Sequence, residues 1–174
     1  MKINRLAVIA LAGVAIQASA VNVGAYDWRA EKTRALAYYD AYGKHFANTP
    51  ENEKAQEKIK DVLSMTANIE GRETMNKARI KALLVLREPD EQRRAERASA
   101  SETFSDLRLY YLYGNMIPRI LNEFDDGLVE QGMNPRPFPI RPLAITEDQF
   151  KAEQAKLIAQ IGLSRDEIDP KPGQ

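Results

Sequence analysis

Between Leu107 and Leu121 ten of fifteen positions are large and apolar or aromatic: Leu107, Leu109, Tyr110, Tyr111, Leu112, Tyr113, Met116, Ile117, Ile120 and Leu121. At helical spacing these side chains project all round the axis, not from one face. A helix of that kind has to be covered on every side, either at the centre of a bundle or in an interface between copies. The rest of the chain must therefore supply amphipathic partners. It offers no strands for the purpose, because no alternating Val/Ile/Thr run of useful length occurs and no Asn-Gly or Asp-Gly turn joins two strand-like runs.

Helical period runs through the sequence. Trp28, Ala35, Tyr39, Tyr42 and Phe46 fall on one narrow stripe, which predicts a first helix from about Asp27 to Ala47 with Asp27 as N-cap. Thr49-Pro50 opens a second helix, since proline at the first helical position lacks an N–H that would be orphaned there anyway. Its stripe is Ala55, Ile59, Val62, Thr66 and Ile69; the pattern is interrupted at Gly71, Glu73 and Asn76 and resumes at Ile80, Leu83 and Leu84. One long helix to about Arg87 is expected, weakened near Gly71, with a break into two as the alternative. Glu88-Pro89-Asp90 ends it.

The third helix runs from Asp90 to about Gln131, closed by Gly127 and Gly132. Pro118 cannot donate to the carbonyl of Gly114, four residues earlier, so a kink is expected there. After a proline-rich stretch, Thr146-Glu147-Asp148-Gln149 is a capping box for a last amphipathic helix bearing Phe150, Leu157, Ile158 and Ile161. Gly162 stops it, and Ser164 to Glu167 offers a second capping box. The predicted fold is all-α: an elongated bundle of three long helices, the third kinked near Gly114 and Pro118, with a Pro-rich extended strap and a short C-terminal helix. The divisions are a leader at 1–20, the helical bundle at 21–133, the strap at 134–145, a C-terminal helical segment at 146–168 and a disordered tail at 169–174.

The first twenty residues read as a secretory leader. Lys2 and Arg5 precede an eleven-residue apolar run, Leu6 to Ile16, followed by Ala18-Ser19-Ala20. Crossing a bilayer takes about 20 residues, so a cleaved signal of bacterial type is expected, with membrane contact only if the leader stays uncleaved. The mature chain would then lie in the periplasm or outside the cell. Without the leader, 23 basic residues face 25 acidic ones, a net charge of about −2 that gives no bulk attraction for nucleic acid. The chain has no cysteine, so thiol chemistry and cysteine-ligated metals are excluded and stability must come from packing.

Catalytic patterns are scarce. The single histidine, His45, has its nearest carboxylate in sequence, Asp40, about 140° away around a helix. Neither a nucleotide-binding glycine pattern nor a nucleophile elbow occurs. The acidic cluster Glu123, Asp125, Asp126 and Glu130 lacks the order of ligands that a calcium loop needs and reads as a solvated helix end. Arg93, Arg94 and Arg97, interleaved with Glu91 and Glu96, read as a solvated face. Met65, Met75, Met116 and Met133 read as fillers of core gaps. No catalytic residue, cofactor, metal or small-molecule substrate is predicted.

Ile145-Thr146-Glu147-Asp148-Gln149 resembles the Leu-Thr-x-x-Gln motif of the small helical periplasmic stress chaperones of the Spy and CpxP type, with Ile at the first position. The resemblance covers five residues and implies a holdase that shields unfolded clients on an apolar helical surface. The residues themselves point first to a non-enzymatic structural or adaptor subunit of a bacterial cell-envelope assembly, such as secretion, conjugation or appendage machinery. Its partners would be envelope proteins or further copies of itself. Candidate interaction residues are Tyr110, Tyr111 and Tyr113 of the apolar segment and Phe138, Ile140 and Arg141 of the strap.

Pro135, Pro137, Pro139 and Pro142 hold the strap extended, and its apolar side chains need a surface to lie on. That surface is either the chain's own bundle or, through the Pro-Ile-Arg-Pro pattern, a partner's aromatic-lined groove. Replacing Phe138 and Ile140 by serine separates the two. A lowered melting temperature is the result of an arm on the bundle, and an unchanged one with a lost partner is the result of a ligand.

Overall fold

The computed structural model describes residues 25–43, 50–130, 145–171 and 173, with side chains except at 38–43, 51, 52, 55 and 124–130. The leader, His45, Phe46, Met133 and the strap residues 134–144, including Phe138, Ile140 and Arg141, lie outside the described residues. So do the side chains of Tyr39, Asp40, Tyr42, Asp125, Asp126 and Glu130.

All regular structure among the described residues is helical. In chain order come α1 (Trp28–Gly43), α2 (Pro50–Arg87), α3 (Glu91–Tyr111), a π turn (Leu112–Met116), α4 (Ile117–Glu130), α5 (Glu147–Ile161) and α6 (Arg165–Ile168). The chain is the all-α bundle that its periodicity predicts. Local chemistry sets most of the boundaries. Asp27 accepts from the Ala30 N–H at the start of α1. Pro50 is the first residue of α2, and Asp90 caps α3 by accepting from the Gln92 and Arg93 N–H groups. Thr146 with Gln149 and Ser164 with Glu167 each close a reciprocal capping box, at the starts of α5 and α6. The Glu167 carboxyl is thereby held down to about 2, by the Ser164 backbone N–H first and then by Arg87 and the Ser164 hydroxyl.

α2 is unbroken for 38 residues, about 57 Å at the helical rise. Gly71 does not break it, since that position faces solvent and costs only propensity. The apparent gap in the apolar stripe closes too. Val62, Thr66, Glu73, Ile80 and Leu84 are all buried, with Ile69 and Asn76 half-buried between them, so Glu73 and Asn76 continue the inward face as polar members.

The disturbance expected at Gly114 and Pro118 takes the form of the π turn, in which the Ile117 N–H reaches back five residues to the Leu112 carbonyl. The missing donor at Pro118 is absorbed by this one-residue slip, a recognised source of helix bending. Gly127 does not end the helix, which runs on to Glu130.

α3 is the central element. α2 packs along one side and α5 along another, both antiparallel to it, while α1 meets α3 and the π turn. One apolar cluster joins Ala35, Val62, Leu109, Leu112, Ile117 and Leu121. A second joins Ile80, Leu84, Phe104, Leu107, Leu157, Ile161 and Ile168. α5 is fastened at both ends: Phe150 stacks on Tyr111 at 4.1 Å, and Arg97 donates to the carbonyls of Ile161 and Gly162. Arg97 is thus not part of a solvated basic face, as Arg93 and Arg94 are; it satisfies the orphan carbonyls where α5 ends and pairs with Glu88 at 3.2 Å.

Two glycines should respond oppositely to alanine. Gly162 has φ +68° and an added Cβ would sit 3.1 Å from the Arg97 guanidinium, so Gly162→Ala is expected to cost at least about 1–2 kcal/mol. Gly71 is helical with open space around it, so Gly71→Ala should stabilise by about 0.5–1 kcal/mol. Urea unfolding of both variants checks the pair; the same sign for both would contradict these assignments.

Candidate interaction surface

Between the two apolar clusters lies a polar layer. Glu73 of α2, only 2% exposed, accepts from Arg108 Nε of α3 at 2.9 Å. The same guanidinium donates through Nη1 to both Asp169 oxygens at 2.9 and 3.0 Å. Asn76 donates to Asp169 at 2.8 Å, and Arg165 adds a contact at 3.0 Å. Asp169, the first residue after α6, is therefore bound to both α2 and α3. Arg108 and Arg165 also lie over the Phe104 ring, at 5.2 and 6.0 Å from its centroid. Beside the layer is an open cleft of about 420 Å³, edged by Ile69, Arg72, Asn76 and Pro170.

Burial pushes the Glu73 carboxyl above the usual carboxylate range; Arg108 offsets this only in part, and Asp169 adds to it. Glu73 Oε2 has no hydrogen-bond partner among the described residues. The two carboxylates, the guanidiniums and the carboxamide are engaged with one another, an arrangement that fixes helices against each other. Among the described residues no three His, Cys, Asp or Glu side chains are grouped to hold a metal ion.

A second tie joins α1 to the bundle. Trp28 stacks on Tyr113 at 6.1 Å and donates from Nε1 to Asp106 at 3.1 Å. Tyr113 donates its hydroxyl to Glu70 Oε2 at 2.7 Å, and Lys32 reaches the same oxygen at 2.7 Å while lying over both rings. Burial raises the Glu70 carboxyl, but the hydrogen bonds from Lys32 and Tyr113 outweigh it and leave it below the ordinary range. Burial and the adjacent Glu70 push the Tyr113 hydroxyl well up, so it remains a donor.

The three tyrosines predicted as interaction residues are thus employed within the chain. Tyr113 is buried against Trp28 and Glu70, Tyr111 is buried against Phe150, and Tyr110 is half-buried beside Tyr26 at 5.7 Å. They do not form one outward patch. The remaining candidates, Phe138, Ile140 and Arg141, lie outside the described residues.

The outward apolar side chains are elsewhere. Met75 is 72% exposed and Leu86 82%, both on α2. With Met65, Asn68, Arg72, Arg79 and Ala82 they form a series at alternating steps of three and four residues, every member exposed, on the side of α2 away from the core. The three described methionines of that set are therefore not core fillers: Met65 and Met116, at 37% and 42%, are also exposed. The core face of α2 is already complete with Val62, Ile80 and Leu84, so there is no gap for them to fill. The outer series was readable from its spacing, as a second stripe offset from the first.

Neither a protein-family model, nor a curated protein, nor a solved structure matches this chain. Among the described residues no helix is long and apolar enough to cross a membrane.

The polar layer yields a test. Arg108→Ala removes the cation between two carboxylates, one of them buried, and is expected to cost about 3–5 kcal/mol at neutral pH. Because the folded chain holds the Glu73 proton more tightly than the unfolded one, Glu73 favours folding at low pH and loses that contribution as pH rises through its raised value. The penalty of Arg108→Ala should accordingly shrink on acidification, and Glu73→Gln should gain on the native chain as pH rises. Urea unfolding from about pH 4 to 8 measures both; penalties independent of pH would contradict the assignment.

Proposed function

We propose that the chain is an exported, non-enzymatic structural or adaptor subunit of a bacterial cell-envelope assembly of the secretion, conjugation or appendage kind, acting through protein–protein contacts. The observation that carries this reading is the outer face of α2. Met75 and Leu86 remain in water on a helix whose opposite face is firmly buried, and an exposed apolar series on a rigid element is what a partner surface requires. The leader-like start of the sequence supports the envelope location.

A second reading, a holdase of the Spy and CpxP kind, draws on one observation. Three exposed methionines, Met65, Met75 and Met116, offer the flexible, polarizable contacts that suit varied clients. The shared Thr-x-x-Gln element is the capping box of α5, so the motif itself has a structural role in this chain.

Size-exclusion chromatography with light scattering, combined with capture from envelope extract, separates the readings. A stable stoichiometric complex is expected, weakened at least about tenfold (roughly 1.4 kcal/mol) by Met75→Asp with Leu86→Asp at an unchanged melting temperature. Suppression of client aggregation by an otherwise uncomplexed protein would support the holdase. A complex indifferent to both substitutions would remove α2 from either account.

A further inference from the structure

The outer face of α2 is cationic as well as apolar. From Gly71 to Arg87 the helix carries Arg72, Lys77, Arg79, Lys81 and Arg87 against a single acidic residue, Glu73, which points into the core. Lys77 pairs with Glu102 and Arg87 with Glu167. Arg72 and Arg79 make no ion pair with a described residue. They belong to the exposed series itself, one step to either side of Met75, so cations flank Met75 and the series ends in two apolar groups: Arg72, Met75, Arg79, Ala82, Leu86.

Resting on the adaptor reading, we propose that this face is the docking seam for an acidic amphipathic helix of a partner protein. Alternating steps of three and four are the spacing at which one helix presents side chains to another. Each arginine offers a planar fork suited to a carboxylate, and its hydrocarbon stem covers part of the apolar seam. The partner helix carries leucine-like residues on its seam and glutamates flanking it.

Charge argues against the other occupants. A second copy docked antiparallel about Met75 and Asn76 sets Arg72 against Arg79, and a parallel, in-register copy sets each arginine against itself. The chain's own proline-rich stretch, 134–145, has two arginines and no acidic residue. An anionic lipid surface calls for a broad apolar face with aromatic or leucine-rich character, whereas α2 has no aromatic residue and the apolar members of this face, Met65, Met75, Ala82 and Leu86 with Val85 beside them, are interrupted by Arg72 and Arg79.

The test is titration of the full chain, followed by fluorescence anisotropy, with two synthetic amphipathic helices of about four heptads. Both have leucine seams; one is flanked by glutamate and one by lysine. The acidic helix should bind, and added salt should weaken it. Arg72→Glu with Arg79→Glu should weaken it at least about tenfold (roughly 1.4 kcal/mol) and transfer binding to the lysine helix. Met75→Ser with Leu86→Ser should weaken binding of the acidic helix, and Arg93→Glu, a charge change on α3, should not.

Equal binding of the two peptides, or equal loss with Arg93→Glu, would overturn the proposal. So would flotation with phosphatidylglycerol vesicles that the double arginine substitution abolishes while the acidic peptide fails to bind. If no peptide binds but envelope complexes still depend on Met75 and Leu86, the acidic-helix assignment fails and the adaptor surface stands. If those complexes ignore Met75 and Leu86, both fail.

Discussion

The segment from Leu107 to Leu121 is apolar on nearly every side, and the placement of the other helices follows from covering it; within it only Met116 and Arg119 are exposed. Leu107, Ile117 and Leu121 are essentially inaccessible, and Leu109, Leu112 and Tyr113 nearly so. Each large apolar side chain so covered is worth roughly 1.5–3 kcal/mol. No single amphipathic helix can shield a side chain set that faces all directions. α2 and α5 run antiparallel along α3, and α1 closes over the region where α3 passes into the π turn. An up-and-down arrangement satisfies this with short connections where the chain turns at Pro89 and Gly162.

Apolar covering alone leaves register free, because many helix offsets bury similar areas. The polar layer removes that freedom. Among the described residues Glu73 pairs with Arg108, and Arg108 pairs with a further carboxylate, Asp169, at the far end of the chain. A slip of α2 by one turn would bury Glu73 without a partner, which costs far more than the pair itself contributes. The layer thus acts on specificity more than on stability. Asn76 and Arg165 complete it from both sides. With the inward face of α2 fixed, its outer side is fixed as well, so Met75 and Leu86 are held outward on one continuous helix.

How much of this was legible depended on range. The caps at Asp27, Thr146 and Ser164, the stop at Gly162 and the break at Pro89 could be read because each is decided within about four residues of sequence by donors and acceptors along one helix end. The long α2 and the disturbance near Pro118 were legible for the same reason. Glu73, Arg97 and Asp169 were not, because the partners that tie them across the fold, Arg108, Ile161 and Asn76, are 35 to 93 residues away and nothing local distinguishes a buried glutamate from a solvated one. Glu73 even read as an interruption of the stripe it belongs to. The methionines were misplaced by composition: methionine suits core gaps in general, but the positions of Met65 and Met75 on the helical wheel put them outside. Tyr110, Tyr111 and Tyr113 stood out as members of the all-round apolar segment, and their use within the chain follows from contacts with Tyr26, Phe150 and Trp28 that no spacing announces.

One face of α2 is committed to the core, and the side that bears Met75 and Leu86 is left exposed, where we propose that a partner docks. Site-specific photocrosslinking in cells tests this most directly, with the reactive group placed in turn at positions 75, 80 and 110. A discrete adduct from position 75, and none from the buried position 80 or the half-buried position 110, is the predicted result. Adducts from position 110 with none from 75 would contradict it, and would return the partner surface to the aromatic segment of α3.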